Sequence, residues 1–400
     1  MMLFAAKKLN MNTTTRSNKL LSLLAGCALT LGVLSVFPST TAAETLSGYR
    51  VDNFVTDGSE SDLINPRGLE ISDRIWTANE NSGTVTGFGT TRLHLTVPET
   101  ASTNPAPTGL IANPSLTSTN PAFFLTNIVY TTNFVRVNTT NGVVTNTVIR
   151  SNIFRAPARL IVVTESGTIA AWNSVVNRNF INLVDSSGST AVYKGVAIAR
   201  NSSGQWRLYV ANFHSGLIEV YDENFHFVNN INDPTAPTFY APFNIKRLFG
   251  KLFVTYARQG LDAVTEEAGA GNGYISIFNE DGVAVRQFVQ TGGALNAPWG
   301  LAQAPSHFGK FSHAVLVANH GDGVINAYSV ITGEHLGQLS DQNGDTLVID
   351  GLWGLHFNLE SETQNKFDFE SSRLYFTAGP NAGQNGTLGT VRANAPFSNR

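Results

Sequence analysis

The sequence repeats one two-part phrase, a Pro-x-Gly-Leu-like start followed by an apolar segment that ends in Ala-Asn or an equivalent pair. The clearest copy covers residues 297–301 and 315–319, and a further apolar segment follows at 323–328. The six copies are spaced 41, 86, 49, 56 and 54 residues apart, and they start at Pro66, Pro107, Tyr193, Pro242, Pro298 and Leu352. A unit of roughly 40–50 residues built from short strands is the sequence signature of a β-propeller blade. We therefore predict an all-β fold, a six-bladed β-propeller.

The two ends of the chain complete this scheme. The sixth copy supplies three strands, Trp353–Phe357, Arg373–Thr377 and Thr387–Arg392. The segment Tyr49–Val55 has strand character but no blade of its own. We predict that it pairs with Thr387–Arg392 as the fourth strand of the last blade, which closes the ring and removes an exposed sheet edge.

The predicted propeller spans residues 44–400 as a single domain, with one insertion in the second blade. Residues 113–158 separate the strand Gly109–Ala112 from the strand Arg159–Val163. The insertion is rich in Asn and Thr, and within it Asn133–Ile149 has the pattern of a β-hairpin that turns at Asn141-Gly142.

Residues 1–43 have the layout of a secretory signal peptide. Four basic residues precede an apolar run at 20–37, and small residues follow at 39–43. We predict cleavage after Ala43 and a bacterial secreted or periplasmic protein with no membrane attachment beyond this export signal. Two alternatives stay open. One is an uncleaved membrane anchor, and the other is lipidation at Cys27, which follows a Leu-Ala-Gly sequence as in a lipoprotein cleavage box.

Cysteine and charge content exclude several classes of function. Cys27 is the only cysteine, so a chain cleaved after Ala43 has no disulfide, no thiolate nucleophile and no cysteine-ligated metal. Cleavage would also remove four Lys/Arg, which leaves 22 Lys/Arg against 29 Asp/Glu, a net charge of −7. Nucleic-acid binding needs a basic surface, so we predict no nucleic-acid partner. We further predict a monomer.

Propeller geometry places the candidate site. The first strand of each blade lies nearest the axis and the second runs antiparallel to it, so first strands begin where second strands end. Residues at these positions should meet at one mouth of the central channel. Aromatic rings, cations and amides that converge on a concave surface suit a small polar ligand or a partner peptide. The candidate ligand-binding residues are Trp299, Trp353, Phe243, Lys194, Arg67, Asn79, Asn212 and Asn319.

Each of these residues also has a structural interpretation. Trp299 and Trp353 suit packing between blades, because large aromatic rings bury much area. An Asn at a strand end commonly hydrogen-bonds to nearby backbone. Both interpretations stay open at this point.

Other polar residues near the mouth carry weaker signals. The longest connection, at 257–273, holds three carboxylates including Glu266. We interpret it as an acidic surface loop, with a contribution to a Ca²⁺ site as the alternative. His214 and His320 occupy neighbouring positions in two loops, and we interpret them as surface or turn histidines. The alternative is a general base, for which Asp322 beside His320 is the nearby orienting carboxylate. No Gly-x-Ser-x-Gly, His-Glu-x-x-His or paired-carboxylate motif is present.

Several longer phrases are more specific than the repeat itself, and they lie at 193–195, 240–245, 297–305, 307–309, 319–323, 350–355 and 374–380. In these phrases the chain resembles the conserved hypothetical proteins of bacteria that carry the exosortase, PEP-type C-terminal sorting system. The resemblance covers essentially the whole predicted mature chain. It implies a secreted propeller, distantly similar to NHL-repeat and gluconolactonase-like proteins, and it implies no established activity or catalytic residue. The family usually has Trp where this chain has Arg67, and the 113–158 insertion looks enlarged.

The interpretation we favour is an extracytoplasmic binding or scaffold protein without a cofactor. The lactonase likeness implies one alternative, a Ca²⁺-dependent hydrolase, because propeller lactonases hold an axial cation with Asp, Glu and Asn side chains from several blades. The candidate ligands here are Glu165, Asn244 and Asn319. That set has a single carboxylate, which is little negative charge for Ca²⁺. The second alternative is a structural component of an extracellular matrix.

Overall fold

The computed structural model describes residues 48–100, 104–140, 142–357 and 373–394. The described residues all belong to one compact unit. The predicted signal peptide, its cleavage site and Cys27 lie outside the described residues. In the described part of the chain, no helix has the length and apolar character needed to span a bilayer.

The strands follow the repeat from the N-terminus onward. β1 is Tyr49–Thr56. Blade 1 contains β2 Pro66–Ile71, β3 Ile75–Asn79, β4 Thr84–Phe88 and β5 Leu93–Thr96. Blade 2 contains β6 Pro107–Ala112, the inserted pair β7 Phe124–Thr139 and β8 Gly142–Pro157, then β9 Leu160–Thr164, β10 Thr168–Trp172 and β11 Ile181–Asp185. Blade 3 contains β12 Tyr193–Arg200, β13 Trp206–Asn212, β14 Leu217–Tyr221 and β15 Phe227–Ile231.

The second half of the chain has the same order. Blade 4 contains β16 Tyr240–Leu248, β17 Lys251–Arg258, β18 Gly273–Phe278 and β19 Ala284–Val289. Blade 5 contains β20 Pro298–Gln303, β21 Val315–Asn319, β22 Ile325–Tyr328 and β23 His335–Gln338. Blade 6 contains β24 Leu352–Phe357, β25 Leu374–Ala378 and β26 Thr387–Ala393. Short helical segments in the connections are Pro114–Thr117, Ser187–Ser189, Gly309–Phe311 and Pro380–Gly383.

The six sheets close into a ring around one axis. The first strands contact one another in the cyclic order β2, β6, β12, β16, β20, β24 and back to β2. Second strands such as β9 and β21 are buried at every residue, because each blade packs between two others, whereas the outermost strand β15 is almost wholly exposed. This arrangement confirms the predicted six-bladed β-propeller.

The closing strand is also confirmed. β1 pairs antiparallel with β26 from Tyr49↔Ala393 to Thr56↔Thr387, so the sixth sheet has the order β1-β26-β25-β24. Tyr49 is only 2% exposed. Its hydroxyl donates to the carbonyl oxygen of Phe308 at 2.9 Å and accepts from the backbone N–H of Phe311 at 3.1 Å. The strand therefore anchors blade 6 and also contacts blade 5.

The glycine of the repeat is required by close packing at the axis. A Cβ placed on Gly300 would lie 2.4 Å from the carbonyl oxygen of Trp353 in the next blade. Blade 4 has Asn244 at the corresponding position, and its Nδ2 donates to the carbonyl oxygen of Trp299 at 2.8 Å. Each first strand also carries a register shift at this point, as in a β-bulge. The Pro-x-Gly phrase is thus a requirement of the inner wall.

The insertion forms a long two-stranded ribbon. β7 and β8 have 16 residues each and pair from Phe124↔Pro157 to Thr139↔Gly142, so the hairpin extends beyond the predicted Asn133–Ile149. At its base, Nδ2 of Asn127 donates to the carbonyl oxygen of Val176 at 3.2 Å. The two strands hydrogen-bond to each other and to no further strand among the described residues.

Candidate functional site

Six side chains, one from each blade, form a closed ring across the predicted mouth. Three of them lie on first strands, and two directly follow the second strands β9 and β21. The remaining one comes from the connection between β17 and β18. We call this set the axial ring, and its members in blade order are Arg67, Glu165, Lys194, Glu266, His320 and Trp353.

Ion pairs join the first four members. An Nη of Arg67 donates to Glu165 at 2.5 Å. The Lys194 ammonium donates to the same carboxylate oxygen, and its Nζ lies 3.7 Å from Oε2 of Glu266. The Lys194 side chain is only 2% exposed, so its charge depends on these two carboxylates.

The contacts of His320 and Trp353 complete the axial ring. Nε2 of His320 lies 3.5 Å from Oε1 of Glu266. The imidazole stacks on Trp353 with 3.5 Å between ring centroids, and the Arg67 guanidinium carbon lies 4.3 Å from the Trp353 centroid. Each blade therefore contributes one side chain that contacts the side chain of the next.

A second carboxylate supports Arg67 from behind the ring. Another Nη of Arg67 donates to Glu80 at 2.6 Å. Asn65 donates to Glu80 and accepts from Nε1 of Trp353 at 2.9 Å. Arg67 is thus held between Glu80 and Glu165, and both residues directly follow second strands.

The charges of the cluster shift its pKa values in different directions. Burial raises the pKa of Glu165, but Arg67 and Lys194 outweigh this effect and lower it to about 2. The pKa of Glu266 is also lowered, because Lys194, Arg67 and His320 outweigh its burial. Burial and the neighbouring Glu165 raise the pKa of Glu80, although Arg67 opposes them. Perturbed pKa values of this kind cluster at functional sites, and buried structural ion pairs also produce them.

Of the aromatic candidates, Trp353 belongs to the axial ring, and Trp299 and Phe243 pack against it from beneath. Trp353 is 1% exposed, Trp299 4% and Phe243 0%, and they pack together with Phe213 in one hydrophobic cluster. A ligand at the mouth would meet charged groups before it met these rings. His320 stacks on the indole of Trp353, and the Arg67 guanidinium also lies over it.

The asparagine candidates make hydrogen bonds within the protein. Nδ2 of Asn79 donates to Thr84 and Thr86 at 3.1 and 2.9 Å. Nδ2 of Asn212 donates to Glu219 at 2.7 Å, and Nδ2 of Asn319 donates to the carbonyl oxygen of Ala294 at 2.8 Å. The side-chain oxygen Oδ1 of Asn319 is buried without a hydrogen-bond partner in the described structure.

The connection at 257–273 differs from the expected acidic surface loop. Nε2 of Gln259 donates to the carbonyl oxygen of Phe213 in blade 3 at 2.6 Å. The loop places Glu266, whose side chain is 10% exposed, between Lys194 and His320. Because it contacts blades 3 and 5, the loop crosses the mouth.

His320 is likewise more than a turn histidine. It belongs to the axial ring with a side chain 24% exposed, and its Nδ1 lies 3.2 Å from the carbonyl oxygen of Leu352. The expectation was wrong because the loop after β21 turns inward over Trp353. His214 is partly buried, and its Nδ1 has no hydrogen-bond partner in the described structure.

Sequence reasoning missed Glu80, and it placed Glu266 and His320 near the mouth without assigning them to the site. For Glu80 and His320 the sequence held a usable signal. β3 ends at Asn79, which pairs with Pro66, and β21 ends at Asn319, which pairs with Pro298. The residue after this paired position is the one that faces the axis. It is Glu80 in blade 1, Glu165 in blade 2 and His320 in blade 5.

A cavity of about 310 Å³ lies along the axis beneath the axial ring. First strands of all six blades line it, with apolar side chains that include Leu110, Val196, Ile245, Leu301 and Leu355. Its size falls at the lower end of the range for small-molecule pockets. The first strands run from the mouth toward the opposite face, and the cavity extends along them in that direction.

Charged groups line the end of the cavity far from the mouth. Glu70, Arg200, Lys246 and Arg247 are among the lining residues. Oε2 of Glu70 lies 3.8 Å from Nζ of Lys246 and 3.7 Å from Nε2 of His356. Arg247 also forms an ion pair with Glu280, so three cations face two carboxylates and this end has an excess of one positive charge.

Two lining indoles have unsatisfied donors. Trp206 and Trp299 both line the cavity, and the Nε1–H of each is buried without a hydrogen-bond partner in the described structure. A buried donor without an acceptor costs about 1–3 kcal/mol.

Metal-ligating side chains gather elsewhere. Among the described residues, the ligand atoms of Glu60, Asp62 and His94 lie within 4.8 Å of one another. Nδ1 of His94 is 2.9 Å from Oδ2 of Asp62, and Nε of Arg92 is 3.5 Å from Glu60. His94 is on β5, the outermost strand of blade 1, so this group is not axial.

The buried state of His320 predicts a pH effect on stability. Burial, with Arg67 and Lys194 adding to it, lowers the pKa of His320 to about 4, although Glu266 opposes the shift. The unfolded chain therefore binds more protons than the folded chain between about pH 6.5 and 4. Stability from this group is complete above pH 6.5 and is lost as the pH falls toward 4. We expect the free energy of unfolding, measured with urea, to fall by about 2 kcal/mol between pH 7 and 5 on account of His320.

The variant His320→Gln should show a shallower pH dependence over this range. His226→Gln is the matched control, because His226 has a side chain 79% exposed, and its slope should equal that of the wild type. His356 and His335 also have lowered pKa values through burial, so part of the slope should survive in both variants. An unchanged slope in His320→Gln would contradict the assignment.

The relatives of this chain are viral. A protein of Acanthamoeba polyphaga mimivirus is 33% identical over 365 residues, which cover 86% of this chain and 79% of the relative. A second mimivirus protein is 32% identical over 359 residues, covering 85% and 83% of the two chains. Both relatives are uncharacterized. The chain belongs to their family. No protein-family model matches the sequence.

This family membership bears on the expected origin. The matching relatives are virus proteins, so the association with exosortase-bearing bacteria gains no support from them. Bacterial origin and secretion stay predictions from residues 1–43.

Solved structures of similar shape share little sequence with this family member. A virginiamycin B lyase from Staphylococcus aureus has a TM-score of 0.46 at 9% identity, covering 86% of this chain and 99% of that chain. A glucose dehydrogenase has a TM-score of 0.48 at 9% identity, covering 86% and 100%. An α-L-arabinanase from Penicillium chrysogenum has a TM-score of 0.48 at 10% identity, covering 87% and 97%. Likeness at this level carries no inference about activity.

Proposed function

We propose that this chain is a propeller binding protein that takes a small, mostly apolar ligand with an anionic group in its axial cavity. The cavity itself carries the proposal: about 310 Å³ of space walled by the first strands of all six blades. Ligand pockets are typically concave, mostly apolar and equipped with a few convergent polar groups. This cavity has each of those properties.

The polar groups of the cavity define the ligand class. Arg200, Lys246 and Arg247 face Glu70 and Glu280 at the far end, and the excess of one positive charge favours an anionic group there. The indole rings of Trp206 and Trp299 add aromatic surface to the lining. Leu, Ile and Val side chains line the region between them and favour an apolar body.

The proposal moves the predicted site from the mouth to the cavity beneath it. A small polar ligand or a partner peptide at the mouth stays a prediction, carried by the same residues named from the sequence. The axial ring supports ligand binding at the mouth less well than the cavity supports ligand binding beneath it. Its two cations and two carboxylates already pair with one another, and a ligand would have to break those pairs.

Isothermal titration calorimetry with decanoate and decanol tests the proposal. We expect one saturable decanoate site per chain and weaker binding of decanol, which has the same tail without the charge. Lys246→Gln should reduce the preference for decanoate. Ala112→Trp should abolish binding of both, because partly exposed Ala112 lines the cavity and an indole there would fill it.

Two controls separate the cavity from other apolar surfaces. Ala236→Trp adds the same ring at an exposed position and should leave binding unchanged. Binding should also quench tryptophan fluorescence, and Trp299→Phe should reduce that quenching. Full-strength binding in Ala112→Trp would place the site elsewhere and overturn the proposal.

The hydrolase alternative makes a separate expectation about Ca²⁺. Glu165 is neutralised by Arg67 and Lys194, and the side chain of Asn244 both donates to Trp299 and accepts from the backbone of Ile245. We therefore expect neither Ca²⁺ nor a chelator to change the melting temperature through the axis. An ion bound only by the folded state would raise it by mass action.

If Ca²⁺ does raise the melting temperature, two variants identify the site that binds it. A rise lost in Glu60→Gln would report the group of Glu60, Asp62 and His94 on blade 1. A rise that survives Glu60→Gln and disappears in Glu165→Gln would favour the hydrolase over the binding protein.

A further inference from the structure

The inserted ribbon exposes an unusual amount of apolar surface. Twelve large apolar side chains on β7 and β8 are exposed, about half of all such residues in the described structure. Tyr130 is 67% exposed, Phe134 73%, Ile149 64% and Ile153 66%. Concentrated exposure of this kind marks an interaction site. We call residues Phe124–Pro157 the arm.

The arm also lacks partners for its backbone. Both outer edges of the pair β7-β8 are open in the described structure. A two-stranded hairpin is marginally stable by itself in water, and a third strand or a packed face is normally needed. At 16 residues per strand the arm is roughly 50 Å long. Among its described residues, those at the base, near Leu125 and Asn127, pack on the propeller.

Charge indicates what the arm contacts. It holds three Arg residues, Arg136, Arg150 and Arg155, and no Asp, Glu or Lys. The rest of the chain after residue 43 holds 19 Lys/Arg against 29 Asp/Glu, a net charge of −10. The arm and the propeller body are therefore electrostatically complementary, whereas two arms would repel each other.

The distribution of side chains favours a protein surface over a lipid one. Opposite pairs in the register share a face, such as Ile128↔Ile153 and Thr132↔Ile149. Apolar residues thus alternate with Thr and Asn on both faces, so neither face is wholly apolar. Membrane-surface segments combine one apolar face with clustered Lys/Arg, and the three Arg of the arm are spread along it.

We propose that the arm is a self-association device: it lies on the acidic propeller body of a second copy of this chain, and two copies exchange arms reciprocally about a twofold axis. Reciprocal exchange uses the same two surfaces twice and closes the assembly at two chains. Reciprocal exchange also buries the exposed apolar side chains of each arm and gives one open edge of the arm a partner. The sequence alone had predicted a monomer.

Sedimentation velocity of the full chain tests this proposal. We expect the wild type to sediment at twice the 43.0 kDa chain mass. The triple variant Tyr130→Ser/Phe134→Ser/Ile149→Ser should be a monomer. So should a chain in which an Asn-Gly turn replaces residues 129–152, because Ile128 and Ile153 are directly paired and a two-residue turn can join them.

A matched control makes equal changes outside the arm. Leu261→Ser/Ile331→Ser/Val348→Ser removes three comparably exposed apolar side chains and should leave the dimer intact. The double variant Arg136→Glu/Arg150→Glu should raise the dimer dissociation constant at least tenfold at low salt. The arm variants leave the rest of the chain unchanged, so residues outside the arm contribute equally in all of them.

Several outcomes would overturn the proposal. These are a wild-type monomer at all concentrations, a dimer that persists in the shortened chain, and open polymers that depend on the arm. Arm-dependent binding to vesicles of anionic phospholipid, without dimer formation, would assign the arm to a lipid surface instead.

Discussion

Replacing Tyr49 with Ala should destabilise the propeller by about 3–5 kcal/mol, the cost of removing a large buried aromatic side chain. Tyr49 is 2% exposed and packs against Phe308 and Phe311 with centroid distances of 5.0 and 6.1 Å. Its hydroxyl satisfies one backbone carbonyl and one backbone N–H. The residue joins the closing strand to blade 5, so its loss weakens the closure of the ring. Urea unfolding followed by circular dichroism measures the change.

The variant Tyr49→Phe separates the two contributions of this residue. It keeps the ring but leaves the two backbone groups without their partner, which should cost about 1–2 kcal/mol. Phe54→Ala removes an aromatic ring from the same strand at a site 55% exposed and should stay within about 0.5 kcal/mol of the wild type. A cost below about 1 kcal/mol for Tyr49→Ala would mean that β1 adds little to closure.

The architecture could be predicted because it depends on features that are local in the sequence. Each Pro-x-Gly start marks a place where neighbouring first strands approach too closely for a Cβ, as at Gly300. The spacing between starts gives the number of blades. The strand at 49–55, which belongs to no other blade, could then be assigned. The last blade has only three strands of its own in the sequence, and this strand covers its exposed edge.

The axial ring could be predicted only in part. The first-strand members Arg67, Lys194 and Trp353 follow directly from the repeat. Glu266 could not be found this way, because no repeat relates its loop to the other blades. Its position depends on how residues 259–266 fold over the mouth, where Gln259 hydrogen-bonds to blade 3.

The cavity was beyond sequence analysis for a different reason. Its volume depends on how far six first strands stand from one axis, and side-chain packing between all blades determines that distance. The sequence does show which residues are apolar along each first strand, such as Leu110 and Leu301. It does not show that the space between them is unfilled.

The arm could be predicted as a hairpin and not as an interaction surface. Asn141-Gly142 indicated the turn of a hairpin at Asn133–Ile149 within an insertion rich in Asn and Thr. Its register places Ile128 opposite Ile153 on one face. Exposure of the apolar residues became visible only once the strands were seen to extend away from the propeller.

Removing the charge of Glu165 should destabilise the protein by about 3–5 kcal/mol, the range for breaking a buried ion pair from one side. Glu165→Ala leaves Lys194, 2% exposed, with Glu266 at 3.7 Å as its remaining carboxylate. Arg67 would keep Glu80. Because the pKa of Glu165 is lowered to about 2, its contribution should be complete above about pH 4.5 and be lost as the pH falls toward 2. Urea unfolding at pH 7 and at pH 3 measures both effects.

A double-mutant cycle tests whether the loss comes from the unpaired ammonium. Lys194→Met removes the charge and keeps most of the side-chain volume, so Glu165→Gln/Lys194→Met should cost less than the sum of the two single changes. Glu267→Ala, one residue from Glu266, breaks an exposed pair with Arg258 at 3.3 Å and should cost no more than about 1 kcal/mol. Additive effects of Glu165 and Lys194 would show that the axial ring is a set of separate contacts. Coupling of about 1 kcal/mol or more would show that its members stabilise the mouth as one network.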